Sequence, residues 1–391
     1  MRRRTGRRAG AAVAIVALCS ACLPRDVGTL ASDGFGGRDA GTPSGAKARR
    51  WLIDQLSPIA PGLNPLGKGR VRYEQSIGSG QANVLAVIRG TELPNQYVIV
   101  GAHYDHLGTR CRTADATDHI CNGATDNAAG VAATLEVARQ MAAHPPRRSV
   151  VIALWDGEEE QLVGSKWYVA HPLVPLRSTV AYVNADILGA NLVPTLRTTT
   201  FAVGAESGGA RLQGMVDHVD GASPLDIVSL SAIFGQGRTD QTPFIGAKVP
   251  SVFFGDSSGG CYHTAQDETT NVDYDKLQHQ TTTEISLVAN LANTRTVPTF
   301  VGGTRVATFD DVVHYQQGVS ERSWPDRTLF STADAATMSD SRDTVNRIVS
   351  EGRAAFGDDD VAAFLVAVSN SSKLLAHLAC DGFLAPKAGA K

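Results

Sequence analysis

The chain has 391 residues, 43% of them hydrophobic and 19% charged, the balance of a folded globular protein rather than of a disordered or fibrous one. A formal net charge of −3 and a pI near 6.4 leave no broad basic surface for a polyanion, which argues against nucleic acid as a partner. The length holds one large α/β domain with an appendage, or two modest domains.

The first ten residues, MRRRTGRRAG, carry five arginines and run into the short apolar stretch AAVAIVALCSAC. That is the layout of an export signal over residues 1–22, and the apolar run is too short to cross a bilayer as a stable helix. Ser20-Ala21-Cys22 resembles the cleavage box of bacterial lipoproteins, although Cys19 stands where leucine is usual. The expectation is an exported protein, either periplasmic or secreted, or held at the cell envelope by a lipid on Cys22. Residues 23–45 follow, and from Gly28 they are rich in Gly, Ser, Asp and Thr, which predicts a flexible linker.

Helical spacing of Trp51, Leu52, Ile53 and Leu56 before Pro58 predicts the first helix of the folded part. Strand-like runs come next at Asn83 to Arg89 and Tyr97 to Gly101, then an alanine-rich helix over 127–143. SVVIALW at 149–155 is a continuous apolar strand, as expected where both sheet faces are covered. Similar strands are predicted at 180–183 and 249–254. Alternating strands and helices predict an α/β fold with a central mostly parallel, mixed and twisted sheet and helices on both faces. Residues 46–299 would form this domain. Residues 300–391 would add a mostly helical C-terminal extension, with helices at 341–356 and 358–380, and they hold no constellation of ligand-type residues.

Of six cysteines, loss of Cys19 with the signal and acylation of Cys22 leave four, an even number suited to an oxidising compartment. Cys111 and Cys121 bracket a polar loop and form a plausible local disulfide. Cys261–Cys380 is then the second, one of three connectivities that four cysteines permit.

The chemistry gathers at strand ends. His103 stands in GAHYDHLG, Asp126 in GATDNAAG, Glu159 in WDGEEEQLVGS, Asp186 in NADILG and His263 in YHTAQDE. Two imidazoles and three carboxylates are a donor set for a close pair of divalent zinc ions. In open α/β sheets ligands collect at the carboxyl ends of strands, where four of the five phrases fall. His106 is an alternative donor to His103 within one phrase. Asp105 is suited to orient a metal-bound imidazole through its second nitrogen. Asp126 precedes the 127–143 helix and would ordinarily cap it, but the small residues on both sides leave room for a carboxylate that bridges two ions. Of the adjacent Glu158, Glu159 and Glu160, one can serve the metal and another the attacking water. Asp267 is placed to orient His263, and Tyr262 to donate to a developing oxyanion.

Together these phrases resemble the M28 family of co-catalytic zinc peptidases, over roughly residues 45–295. The resemblance implies a zinc exopeptidase-like fold and two Zn²⁺ ions. His103 and Asp186 would bind one ion, Glu159 and His263 the other, and Asp126 would bridge them. It also implies Glu158 as general base, taking a proton from zinc-bound water whose hydroxide attacks the peptide carbonyl, with Tyr262 at the oxyanion. The Asp126–Asn127 bond resembles one that is often cis in that family. Two features depart from the pattern: the cysteine-bracketed stretch CRTADATDHIC between His103 and Asp126, and Gln241, where the family often has histidine. The expected activity is a metallopeptidase acting on peptides or proteins, foremost an aminopeptidase. The alternatives are a carboxypeptidase-type or other amide hydrolase of the same fold, or a non-catalytic binding module.

Overall fold

A computed structural model describes residues 21–112, 117–220, 224–378 and 380. Its strands are β1 (Glu74–Gly78), β2 (Gln81–Ile88), β3 (Leu93–His103), β4 (Arg148–Trp155), β5 (Thr179–Ala185), β6 (Thr199–Val203), β7 (Asp226–Leu230) and β8 (Ser251–Gly255). They form one sheet in the order β1-β2-β4-β3-β5-β8-β6-β7. The centre, β4, β3, β5 and β8, is parallel, while β1, β2 and the β8–β6 pair are antiparallel, so the sheet is mixed as expected.

Residue alternation divides the sheet between two cores. Val150, Ile152 and Leu154 of β4 share one face with Val98 and Val100 of β3. Val151, Ala153 and Trp155 turn to the other, beside Ile99, Tyr182 and Phe244. With both faces covered, β4 is buried along its whole length, which is why it reads as an unbroken apolar run. The helices are α1 (Cys22–Leu30), α2 (Pro43–Leu56), α3 (Ala129–Ala143), α4 (Val163–Ala170), α5 (Gly209–Asp220), α6 (Gln241–Gly246), α7 (Tyr274–Asn293), α8 (Phe309–Tyr315), the single turn α9 (Glu321–Ser323), α10 (Thr332–Glu351) and α11 (Asp358–Ala376). One face of the sheet packs on α3 and α7, with α1 laid against α3, while α4 and α6 meet each other across the opposite face.

The flexible linker expected over 23–45 is instead folded. Leu23, Val27 and Leu30 of α1 enter the main core, and a 3-10 segment follows at Asp33–Arg38. One of its glycines serves close approach rather than flexibility. Gly37 sits at φ +66°, and a Cβ there would lie 2.4 Å from the carbonyl oxygen of Gly108. Arg38 is fully buried, and its guanidinium donates to the carbonyls of Leu30, Tyr104, Asn122 and Gly123 at 2.6–3.0 Å. The segment is therefore bolted to the loops that carry the candidate site. Of the expected export signal, residues 1–20 lie outside the described residues, while Cys22 opens α1. Among the described residues, no helix is long and apolar enough to cross a membrane.

The C-terminal extension is helical, and α10 begins earlier than the sequence pattern suggests because Ser331 accepts the amide of Asp334 at 3.2 Å and starts the helix. The extension covers the part of the sheet that α4 and α6 leave open. Val203, Leu230 and Phe253 form a third core there with Val312, Tyr315, Val345 and Phe364. Both expected disulfides are present, Cys111–Cys121 and Cys261–Cys380. The second joins the segment after α11 to the loop after β8.

Candidate metal centre

β3 delivers His103 at its last residue, and β5 ends at Ala185 so that Asp186 follows at the same edge of the sheet. The turn after β4 carries Glu158 and Glu159, and the long loop after β8 carries His263. Asp126 arrives from the turn before α3. The capping function that its position suggested belongs to its neighbour: the Asn127 side chain accepts the Gly130 amide at 3.1 Å and donates to the carbonyl of Ala185 at 2.9 Å. Asp126 is thus left to face the site. Gly130 has to be glycine, because a Cβ there would lie 2.1 Å from Asn127 Oδ1. The Asp126–Asn127 peptide bond is cis.

The five candidate donors converge. His103 Nε2 lies 3.2 Å from Asp126 Oδ1 and 3.2 Å from Asp186 Oδ1. His263 Nε2 lies 3.3 Å from Asp126 Oδ2 and 3.1 Å from Glu159 Oε2. Asp126 therefore offers one oxygen to each side. Two groups of three donors can each hold an ion: His103, Asp126 and Asp186, and His106, Asp126 and Glu159. The second group has a further imidazole beside it, since Glu159 meets His106 Nδ1 at 2.8 Å through one oxygen and His263 Nε2 at 3.1 Å through the other. Glu160 stands apart and accepts from Gln81 at 2.7 Å.

Electrostatics show what such a site lacks. Burial opposes ionisation of Asp126, yet hydrogen bonds from His103 and His263 prevail and hold its carboxyl well below the usual range. Burial and the charge of Asp126 push Glu159 upward, and the hydrogen bonds of His106 and His263 outweigh them, bringing it to about 2. Asp186 is raised by burial despite His103. Glu158 is pushed well above the ordinary range, first by burial, with Asp186, Asp240 and Glu159 adding repulsion that His103 opposes. Four carboxylates and three imidazoles gathered in one largely buried cluster call for cations. His103 Nε2 lies between Asp126 Oδ1 and Asp186 Oδ1, and His263 Nε2 between Asp126 Oδ2 and Glu159 Oε2, so each of these imidazoles aims a nitrogen into a cluster of carboxylate oxygens, as a metal donor would. The residues fit a pair of divalent cations, and the nitrogen–carboxylate donor set suits zinc.

Surrounding groups hold the donors still. Asp105 was expected to orient His103 through its carboxylate. That carboxylate lies 3.7 Å from His103 Nδ1 and the Asp105 main-chain oxygen 3.2 Å from it, and the carboxylate also accepts the amides of Glu158 and Glu159. Asp267 was expected to orient His263. It accepts instead from the amides of Thr125 and Asp126 and from the Thr125 hydroxyl, at 2.8–3.1 Å. Tyr262 stacks on His263 with ring centres 3.7 Å apart, and its hydroxyl accepts from Arg238 at 3.2 Å. Gln241, at the departure from the family phrase, is buried and accepts from the Thr239 hydroxyl.

The open side of the site is a cleft of about 110 Å³ whose lining includes His103, Asp126, Glu158, Asp186, Arg238 and Tyr262. Sequence reasoning gave no role to Arg238 or Asp240. Asp240 is buried, and burial pushes its carboxyl up to about 7. Nothing local in TDQTPF marks it, because its proximity to Glu158 arises only when the loop before α6 folds against α4, beside Ser165.

Comparisons with known proteins bear on the family and the fold. The model of Peptidase family M28 matches residues 83–288. A probable zinc metalloprotease of Pyrenophora teres f. teres (strain 0-1) is 32% identical over 154 residues, covering 37% of this chain and 31% of that protein. A probable glutamate carboxypeptidase VP8 of Zea mays is 30% identical over 239 residues, covering 55% of this chain and 31% of that protein. The match thus spans about a third of the length of these curated relatives. Among solved structures, the Legionella pneumophila LapA aminopeptidase superposes with a TM-score of 0.57 at 18% identity, over 71% of this chain and 73% of that one. At that identity the likeness is one of fold.

Proposed function

This chain belongs to peptidase family M28, and on that premise we propose that it is a zinc-dependent exopeptidase with two ions, foremost an aminopeptidase. The observation that carries the reading is the sharing of Asp126 between two three-donor groups, with Glu158 lining the same cleft. His103 and Asp186 would hold one zinc, Glu159 and His263 the other, with Asp126 between. His106, at 2.8 Å from Glu159, supports the second position as an additional donor or as an orienting group. Bound zinc supplies Lewis-acid polarisation of a carbonyl and a lowered pKa for water.

The chain's own groups then divide the work. Glu158, which lines the cleft beside His103 and Asp186, takes the proton of the attacking water and returns it to the leaving amine. Asp105 fixes the backbone of Glu158 and Glu159. Tyr262 lines the cleft and can offer its hydroxyl to the developing oxyanion. Asp186 and Glu158 give the cleft acidic walls for a free amino terminus. Export, read from residues 1–22, is part of the same proposal, and the two disulfides support it because such bonds persist in oxidising compartments.

One observation favours a second reading. Arg238 lines the cleft beside Tyr262, and a guanidinium there suits a substrate's terminal carboxylate, as a carboxypeptidase needs. The two are separated by assaying a free peptide, its N-acetylated form and its C-amidated form, each with and without a chelator. The aminopeptidase reading expects loss of cleavage on acetylation but not on amidation, and recovery of chelated enzyme with zinc. Chelator-insensitive cleavage sinks the zinc reading, and cleavage lost only on amidation transfers the assignment to a carboxypeptidase.

A further inference from the structure

Beside the cleft lies a second cavity of about 110 Å³, and the two share Phe234, Gln236, Phe253 and Ser257. Its floor is the sheet. Phe201 and Val203 of β6 point the same way, Val203 pairs with Phe253 of β8 and with Leu230 of β7, and all four line the cavity. Its roof comes from the C-terminal extension: Tyr315 and Val319 before α9, and Val368 and Leu375 of α11. The four roof residues lie outside the segment that the family model matches, residues 83–288. No charged side chain lines this cavity among the described residues, in contrast to the acidic cleft next to it. The Cys261–Cys380 disulfide ties the end of this roof to the loop that carries Tyr262 and His263.

We propose that this cavity receives an apolar side chain, that of the substrate's N-terminal residue, and that α11 sets its depth. The inference rests on the aminopeptidase reading and deepens it. A side chain that enters from the metal cleft passes Phe234 and Phe253 into a space lined mostly by aliphatic and aromatic groups, with Gln236, Ser257, Ser371 and Ser372 as its uncharged polar members. Leucine or phenylalanine gains burial there, while glutamate or lysine loses hydration and finds no counter-charge. Discrimination between a filled and an empty pocket of this kind is roughly ten- to two-hundredfold in kcat/KM.

The test uses the full-length zinc-loaded protein and a series of aminoacyl 4-nitroanilides bearing Leu, Phe, Ala, Glu and Lys. The wild type is expected to prefer Leu and Phe over Glu and Lys by at least about tenfold. Val368→Trp, which fills the cavity from the roof, is expected to lose at least about tenfold on Leu and Phe while Ala is retained and zinc content is unchanged. Leu375→Ala deepens the cavity and provides an independent reading if the bulky variant does not fold, with the Phe/Leu ratio expected to rise. A wild type active on Leu whose Leu/Ala ratio neither variant moves overturns this inference alone. So does a preference shift confined to the second residue of dipeptides. A wild type that cleaves none of the aminoacyl series but cleaves N-acetylated peptides overturns the aminopeptidase reading, and this inference with it.

Discussion

Asp105 and Glu158 are coupled through the main chain: one oxygen of the Asp105 carboxylate accepts the Glu158 amide at 3.1 Å, while the other accepts the Glu159 amide at 3.3 Å. A fully buried carboxylate thereby sets the turn that presents both the proposed base and a proposed metal donor. Asp105→Asn keeps the size but replaces one acceptor with a donor that faces an N–H. We expect activity or zinc affinity to fall roughly 10–100-fold, in line with the loss of groups that support metal ligands. Steady-state kinetics beside a zinc-competition titration check this, and wild-type values for both would remove Asp105 from the machinery.

Glu158 and Glu159 differ by one residue and are assigned different work. Glu158→Gln is expected to lower kcat about 10²–10⁴-fold with zinc stoichiometry intact, since a positioned acid–base group contributes about that much. Glu159→Gln is expected to lose metal. Elemental analysis of both variants decides between them. Zinc loss in the Glu158 variant would mean that the two roles are exchanged.

Asp267 gathers three donors from Thr125 and Asp126, so it fixes the turn that aims the shared carboxylate. Asp267→Ala strips these amides of their acceptor inside the fold. Zinc affinity is expected to drop roughly 10–100-fold, while the Cys261–Cys380 loop keeps its place. A competition titration with a chromogenic chelator reads the first, and intact disulfide content by mass spectrometry reads the second.

The sheet core and the five candidate donors were legible because each carries a local signal. Val150 to Trp155 is an unbroken apolar run, and the donors sit in short phrases at strand ends. What the sequence concealed is instructive. The helix α7 buries Thr281 and Thr283, whose hydroxyls bond back to the carbonyls of Leu277 and His279, so polar residues occupy its inner face and blur the helical pattern. Strands β6 and β7 have five residues each, too few for alternation to stand out. Arg38 looked like one more polar residue of a solvated stretch. Its four carbonyl partners come from positions up to 85 residues away, and only the folded chain assembles them.

That buried arginine gives a stability prediction. Arg38→Met keeps much of the volume but leaves the carbonyls of Leu30, Tyr104, Asn122 and Gly123 without its donors. Each buried acceptor left unsatisfied costs about 1–3 kcal/mol, so the variant should lose at least about 3 kcal/mol. Calorimetry is expected to show a thermal midpoint lower by at least ~5 °C. A midpoint within a degree of the wild type would mean that residues 22–40 are not integral to the fold.

Glu284 offers a pH-dependent test away from the donors. It lies on the buried side of α7, neither carboxylate oxygen has a hydrogen-bond partner, and burial pushes its carboxyl up to about 8 from 4.5. The unfolded chain ionises this group near 4.5 while the folded chain keeps the proton up to about 8. Between those values the folded state binds more protons, so stability falls as pH rises, and it levels off above the upper one. Below the lower value both states are protonated and the group contributes nothing. Glu284→Gln mimics the protonated form at every pH and removes the dependence. Urea denaturation at fixed zinc concentration should therefore give similar midpoints for wild type and variant near pH 5. Near pH 8 the variant should be the more stable, by an amount on the order of a few kcal/mol. Parallel pH profiles for the two proteins would mean that Glu284 ionises in the native state as freely as in the unfolded one.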